Sequence, residues 1–449
     1  MVPQPQSPSL IVRGATILTM NDAFDVIEGD VAVRDGRITA IGPSTNDTAD
    51  RIINAHGSYL LPGFIQTHIH LCQTLFRGYA DDLPLLGWLR RRVWPMEASH
   101  TPDTLRASAR LAASELLLSG TTTVLTMETV HDTDVVFDTV DRIGLRAVIG
   151  KCMMDSDREV PRRLQERTRE SIDESVALRK RWDGKGGGRL RAAFAPRFAV
   201  SCSRELLEAV AELSARERVI VHTHASENRE EVDLVRRISG GMSNFEYLAD
   251  TGLATPHLCT AHCVWVSDAE QTLLAERDVK VLHCPGSNLK LGSGLAPVVE
   301  MRARGISVSL GADGAACNNR LDMFEEMRLA ATLQSVRKHP GALTARDALT
   351  MATREGARAL GLQAEVGSIE AGKRADLILV HRARPHVAPD PDPWSTLVYA
   401  ARGTDVRMTM VDGEILVRDF ELTREDGAEI AVEARQAARR LAARAGLGV

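Results

Sequence analysis

Aromatic side chains are scarce in this chain: Phe, Trp and Tyr together make up 4% of its residues. That argues against the stacking platforms on which proteins hold single-stranded nucleic acid. Positive charge is not in excess either. Against 55 Lys and Arg stand 60 Asp and Glu, a net charge of −5. Neither a nucleic-acid groove nor a polybasic membrane patch is expected. No uninterrupted apolar run reaches the ~18 residues of a transmembrane helix. The opening "MVPQPQSPSLIVRG" has no basic segment followed by an apolar one, so no secretory leader is expected. The cysteines (Cys72, Cys152, Cys202, Cys259, Cys263, Cys284 and Cys317) include no C-x-x-C pair and are odd in number. Reduced thiols and a cytoplasmic protein are the expectation.

What is present is globular. Hydrophobic residues make 44% and charged residues 26% of 449 positions, enough for one large or two domains. From residue 63 onward, short β-branched runs alternate with amphipathic Ala/Leu/Arg/Glu-rich stretches. The spacing predicts eight strands, over 63–70, 120–127, 145–153, 189–196, 218–225, 257–264, 279–285 and 306–313. Helical patterns separate them, among them 103–120, 203–217 and 267–277. Eight strands with crossover helices make a (β/α)8 TIM barrel. An open doubly wound sheet would carry a glycine-rich phosphate turn after its first strand, and none is present. "GKGGGR" at 184–189 precedes a strand and opens no helix, so it reads as a loop. Residues 1–62 and 366–449 have another texture, with short alternating strands and tight D-G and H-G turns. The two chain ends are expected to form one small β-rich domain beside a barrel of residues 63–365. The Ala/Arg-rich tail reads as a solvated surface helix.

Barrel enzymes work at the C-terminal ends of their strands. "GFIQTHIH" ends the first strand with His68 and His70, which share a face because side chains two apart in a strand point the same way. Two core histidines, or a surface pair, would be the bland reading. Strand 5 ends in "HTHASE" with His222, His224 and Glu227, strand 6 in "AHCV" with His262, and strand 8 in Asp313. Four strand ends carrying metal-ligand and acid–base side chains on one barrel face point to a metal centre.

The stretches "PGFIQTHIH", "RGYADDLPLLGWL", "HASE", "AHCV", "HCPGSNLKLGSGLAPV", "GADGAACNNRLDMFEEMRLA" and "EVGSIEAGKRADLILV" span nearly the whole chain. Together they resemble the amidohydrolase superfamily in its nucleoside and nucleobase deaminase branch, near methylthioadenosine/S-adenosylhomocysteine deaminases and triazine hydrolases. The resemblance implies one divalent metal, zinc or alternatively iron, held by His68, His70, His224 and Asp313. It also implies that Asp313 and Glu227 move protons and that His262 hydrogen-bonds the attacking oxygen. The same roles follow from the chemistry of an ion that acidifies water. The family pattern His-x-x-Glu selects His224 over His222, which is left behind the site. His283 and Lys151 stay open. Two-metal relatives use a carboxylated lysine from strand 4, and "RLRAAFAP" has none. His56, His100, His131, His257, His339, His381 and His386 are expected in loops or at the surface.

The substrate is less legible. Gln73 and Arg197 resemble the pair with which guanine deaminases grip a base. Glu97, in the stretch that looks like the thioadenosine branch, resembles a ribose-binding carboxylate. Arg197 as a structural ion pair and Gln73 as a helix-capping residue are the plain alternatives. The expected activity is hydrolytic deamination of an amino-substituted nitrogen heterocycle, first a 5′-modified adenosine, then guanine or another base or pterin, then a triazine. A catalytically inactive assembly protein is the reading from another class. The expected partners are this small molecule and other copies of the chain in a homo-oligomer, with no nucleic acid and no membrane.

Overall fold

A computed structural model describes residues 9–44, 49–156 and 160–447. The leader-free start expected for residues 1–8 lies outside the described residues. Barrel strands 1 to 7 are Phe64–His70, Thr121–Met127, Arg146–Met153, Leu190–Pro196, Val221–Ala225, Leu258–His262 and Lys280–His283, each parallel to the next. Strand 8 is interrupted, as Val308–Leu310 and Asp313–Gly314. Its first part pairs with strand 7 at His283↔Leu310 and its second with strand 1 at Asp313↔Ile69, which closes the ring.

A continuous strand over 306–313 was the expectation, and the break has a physical cause. At Gly311 a Cβ would lie 2.5 Å from the carbonyl oxygen of His68, so only glycine lets the two backbones come this close. The Ala312 N–H, lost to the ladder, donates instead to Gln66 Oε1 at 3.1 Å. Beyond the break Asp313 takes a left-handed backbone with φ 63°. His262, at the end of strand 6, does so with φ 73°. Such conformations are uncommon outside glycine and cluster at functional sites.

The chain ends meet in a second sheet. Ser58–Pro62 runs antiparallel to Leu377–His381, with Leu60 opposite Leu379. Period-2 alternation splits these strands between two cores. Leu60, Leu377 and Leu379 join Val12, Ile17 and Val31 in the sheet's own core. Leu61, Ile378 and Val380 face the other way, into a core shared with Phe64 and Phe324 of the barrel.

The tail helix Gly427–Arg444 is not simply solvated. Its buried stripe of Ala434, Ala437 and Leu441 packs with Trp88, Leu89 and Trp94. Arg110 fixes it further, with Nη1 donating to Glu433 Oε2 at 2.6 Å. Among the described residues no helix is long and apolar enough to cross a membrane.

Candidate active site and metal centre

Four imidazoles converge at the C-terminal mouth of the barrel, and each is held from behind. His70 Nδ1 lies 2.7 Å from the Met127 carbonyl, His224 Nδ1 2.8 Å from the Arg197 carbonyl, and His262 Nδ1 2.9 Å from Asn288 Oδ1. These partners only accept, so Nδ1 carries a proton in each ring and Nε2 is the atom turned to the cavity. His68 Nδ1 rests on His222 Nε2 at 2.7 Å. His222 thus sits against the back of His68, one pleat below the mouth.

On the inner side, His68 Nε2 and His70 Nε2 stand 3.3 Å and 3.2 Å from Asp313 Oδ1. His68 Nε2 is fully buried and makes no hydrogen bond, and neither does His262 Nε2. Ligand atoms of His68, His70 and Asp313, and likewise of His68, His224 and His262, lie within 4.8 Å of one another. Orphaned buried nitrogens beside a carboxylate are costly unless something binds them. A nitrogen-rich set with one carboxylate fits zinc or a similar divalent ion.

The electrostatics favour such an ion. Burial holds His68 down at about 4 and drives His222 and His224 well below the usual imidazole range, so all three are neutral. For Asp313, burial works against the charge, yet His68 and then His70 and His262 hold its carboxyl well below the usual range. Glu227 follows the strand-5 histidines, its backbone N–H fixed on Glu231 Oε2 at 2.8 Å. Burial pushes the Glu227 carboxyl up to about 7. Its oxygens lie 3.5 Å from His262 Nε2 and 3.4 Å from Ser293 Oγ. Asp313, His262 and Glu227 therefore form a row of titratable groups at one pocket wall.

Leu85, Trp88, Leu89, Phe198 and Leu291 form the apolar walls of that pocket, and Gln73 and Arg197 border it as well. Glu97, which sequence reasoning set against Gln73 and Arg197 as a rival contact, is joined to both. Gln73 Nε2 donates to Glu97 Oε1 at 2.9 Å, and Arg197 Nη1 donates to Glu97 Oε2 at 2.7 Å.

Several supporting residues escaped sequence reasoning. Ser287 donates to Asp313 Oδ2 at 2.7 Å, and Asn288 orients His262. Glu128 accepts from the backbone N–H of Leu71 and Cys72 at 3.2 and 2.9 Å, bracing the turn after His70. The only signal for the first two was the stretch "HCPGSN" itself. The surface expectation for His100 is corrected: it is 3% exposed, with Nε2 on the Cys72 carbonyl at 2.9 Å and Nδ1 3.1 Å from Thr104 Oγ1. Lys151 is buried too, donating to Glu166 Oε1 at 2.5 Å and to the Cys152 carbonyl at 3.2 Å. His283 is buried with neither ring nitrogen hydrogen-bonded.

Known proteins share this fold. The model of the amidohydrolase family matches residues 59–416. A 5′-deoxyadenosine deaminase of Methanosarcina mazei is 40% identical over 437 residues, 97% of this chain and 99% of its own. A 5-methylthioadenosine/S-adenosylhomocysteine deaminase of Symbiobacterium thermophilum is 40% identical over 441 residues, covering 96% and 99%. The crystal structure of an adenosine deaminase from Xanthomonas campestris with bound zinc superposes with a TM-score of 0.91 at 33% identity, over 97% of this chain and 98% of that one. With a family match over most of its length on a barrel that gathers the histidines and aspartate at its mouth, the chain belongs to the amidohydrolase family.

Proposed function

We propose that this protein is a metal-dependent hydrolytic deaminase of a 5′-modified adenosine: 5′-deoxyadenosine, methylthioadenosine or S-adenosylhomocysteine. The observation that carries the chemistry is the pair of clusters that share His68, one with His70 and Asp313 and one with His224 and His262, with Glu227 beside His262. Near-full-length relatives named for 5′-deoxyadenosine and methylthioadenosine support the substrate class. His68, His70, His224 and Asp313 would hold one divalent ion, with zinc favoured over iron by the zinc-bound relative. Such an ion supplies Lewis acidity and acidifies water. His222 then serves as a support that fixes the ring of His68 through Nδ1.

The side chains divide the proton traffic. Asp313, kept ionised among imidazoles, accepts a proton from the attacking water on a carboxylate oxygen. Glu227, whose carboxyl is raised by burial, delivers a proton to the ring nitrogen next to the amino-bearing carbon. His262, its Nδ1 pinned by Asn288, meets the attacking oxygen with Nε2. The proton held by Asp313 passes to the amine, which leaves as ammonia, and the remaining proton of the added hydroxyl returns to Glu227 as water's oxygen becomes the ring carbonyl. The apolar walls exclude bulk water and face the planar base. In this reading the chemistry belongs to a barrel domain of residues 63–365, and residues 1–62 and 366–449 support it as the second domain.

A guanine deaminase is the second reading, favoured by one observation: Gln73 and Arg197 both border the pocket. Ammonia release from 5′-deoxyadenosine, methylthioadenosine, S-adenosylhomocysteine and guanine separates the two. The first reading expects the nucleosides to be the substrates. Turnover of guanine with no nucleoside turned over would install the second.

A further inference from the structure

A second cavity, of about 720 Å³, opens at the end of the barrel away from the metal centre, a volume usual for a small-molecule site. Ile220, His257 and Lys280 line it, each at or just before the first residue of its strand, opposite the ends that carry His224 and His262. Its charges do not balance. Five Lys and Arg side chains line it against three carboxylates, and the carboxylates are already engaged. Asp278 Oδ2 meets Lys280 Nζ at 2.5 Å, Glu217 accepts from Arg179, and Asp183 Oδ1 accepts from the Ala192 N–H at 3.1 Å. The side chains of Arg191 and Arg218, by contrast, make no ion pair and no hydrogen bond among the described residues, and the His257 ring makes no hydrogen bond there either. Burial and then Arg218 and Lys280 hold His257 below the usual imidazole range, so the charges that it meets are cations alone. Lys280 is buried, and it spends two of its three N–H groups on the Asp278 carbonyl and carboxylate. The C-terminus of helix Arg204–Glu217 accounts for a cation at Arg218, but not for His257 and Lys280 in the same cavity. The stretch "GKGGGR" supplies part of the rim. Gly184 and Gly188 border the cavity with φ of 80° and 91°, and a Cβ on either would meet nothing within 4 Å, so the mouth is bare on that side.

We infer that this cavity is a binding site for a polyphosphate anion, inorganic or carried on a nucleotide, held by Arg191, Arg218, His257 and Lys280. Such a ligand answers each feature of the site. Its charge is multiple, whereas a monoanion would leave part of the cationic excess unmet. Its oxygens accept, which suits guanidinium, ammonium and imidazole N–H donors. The arginine fork matches the geometry of phosphate oxygens. In the nucleotide case Val148, Ile220 and Leu360 give the base an apolar surface in the same cavity. The site is separate from the deamination centre and does not depend on which substrate that centre takes.

The test is calorimetric titration of the metal-loaded full chain with tripolyphosphate and, separately, with ATP, with metal content and melting temperature recorded before and after. Wild type should bind at one site per chain and melt at a higher temperature with the anion present. Tripolyphosphate at least as tight as ATP assigns the site to the phosphate chain alone, and tighter binding of ATP adds the base. Arg218→Gly removes a cation at a position whose φ of 55° suits glycine, so the fold should hold. Its affinity should fall roughly 10-fold or more, the scale of a hydrogen bond between charged groups. Lys280→Met should lose at least as much, and it takes the place of Arg218→Gly should that variant fail to fold. Arg169→Ala, which removes an exposed cation outside the cavity, should bind as wild type does. No saturable binding by wild type would overturn the inference. So would unchanged affinity in Arg218→Gly, as chelation of metal at the active centre would give, or an equal loss in Arg169→Ala.

Discussion

Replacing Glu227 by glutamine keeps the shape of the side chain and removes its ability to carry a proton. The carboxyl is buried, and that burial raises it to about 7 against the pull of His262 at 3.5 Å. Loss of a positioned acid–base group lowers turnover typically by 10²- to 10⁴-fold, about 2.7–5.5 kcal/mol of barrier. The metal should stay, because Glu227 is outside the proposed ligand set. A second effect appears in the metal-free protein. An acid that gives up its proton near 7 in the fold, against 4.5 when unconstrained, makes the fold bind more protons than the unfolded chain between those values. Stability from this group is therefore full below pH 4.5 and falls as pH rises through 7, by up to about 3 kcal/mol. Denaturant unfolding of the chelated wild type and Glu227→Gln at pH 5 and pH 8 should show the variant losing less on the alkaline side. Near-normal turnover in Glu227→Gln, or identical pH slopes for both proteins, would refute the acid–base assignment.

Other variants probe the surroundings. His224→Ala should abolish metal and activity, whereas His222→Ala should retain most of the metal because His222 touches only the back of His68; elemental analysis showing the reverse would exchange the two roles. Lys151→Met should leave the metal content unchanged while lowering stability by about 3 kcal/mol or more, as breaking a buried ion pair does, since Lys151 meets Glu166. Metal loss in that variant would make the lysine part of the centre. Lys290 joins Asp81 to Asn319 and the Ala316 carbonyl beside the pocket wall at Leu291. Because the pair with Asp81 is partly exposed, Lys290→Ala should raise KM only about 2- to 5-fold, the scale of a surface ion pair. An unchanged KM would show that these loops do not need the tie.

The strand-end histidines were legible because a barrel turns sequence position into spatial position. The end of any parallel strand reaches the same face, so His68, His224, His262 and Asp313 can be grouped without knowing any contact. Residues whose role depends on a partner chosen by packing were not legible. Glu97 and Arg197 are 100 positions apart, and nothing in either stretch tells that one will neutralise the other. Ser287 and Asn288 sit on the short helix Pro285–Lys290, too brief for a periodic signal. His100 reads as a loop residue until the Cys72 carbonyl and Thr104 are seen to enclose it. The interrupted eighth strand was hidden for a similar reason: its run looks continuous, and only the approach of Gly311 to His68 shows why it breaks.

The central claim is that one ion at this cluster drives deamination of a 5′-modified adenosine. Its most direct test is ammonia release from 5′-deoxyadenosine by the purified protein, before chelation, after chelation, and during titration with zinc. The account predicts activity that is lost on chelation and returns with a break near one zinc per chain, as about four ligands for a single site require. Activity that survives complete removal of metal, or a fully zinc-loaded protein that releases no ammonia from any purine nucleoside, would contradict it.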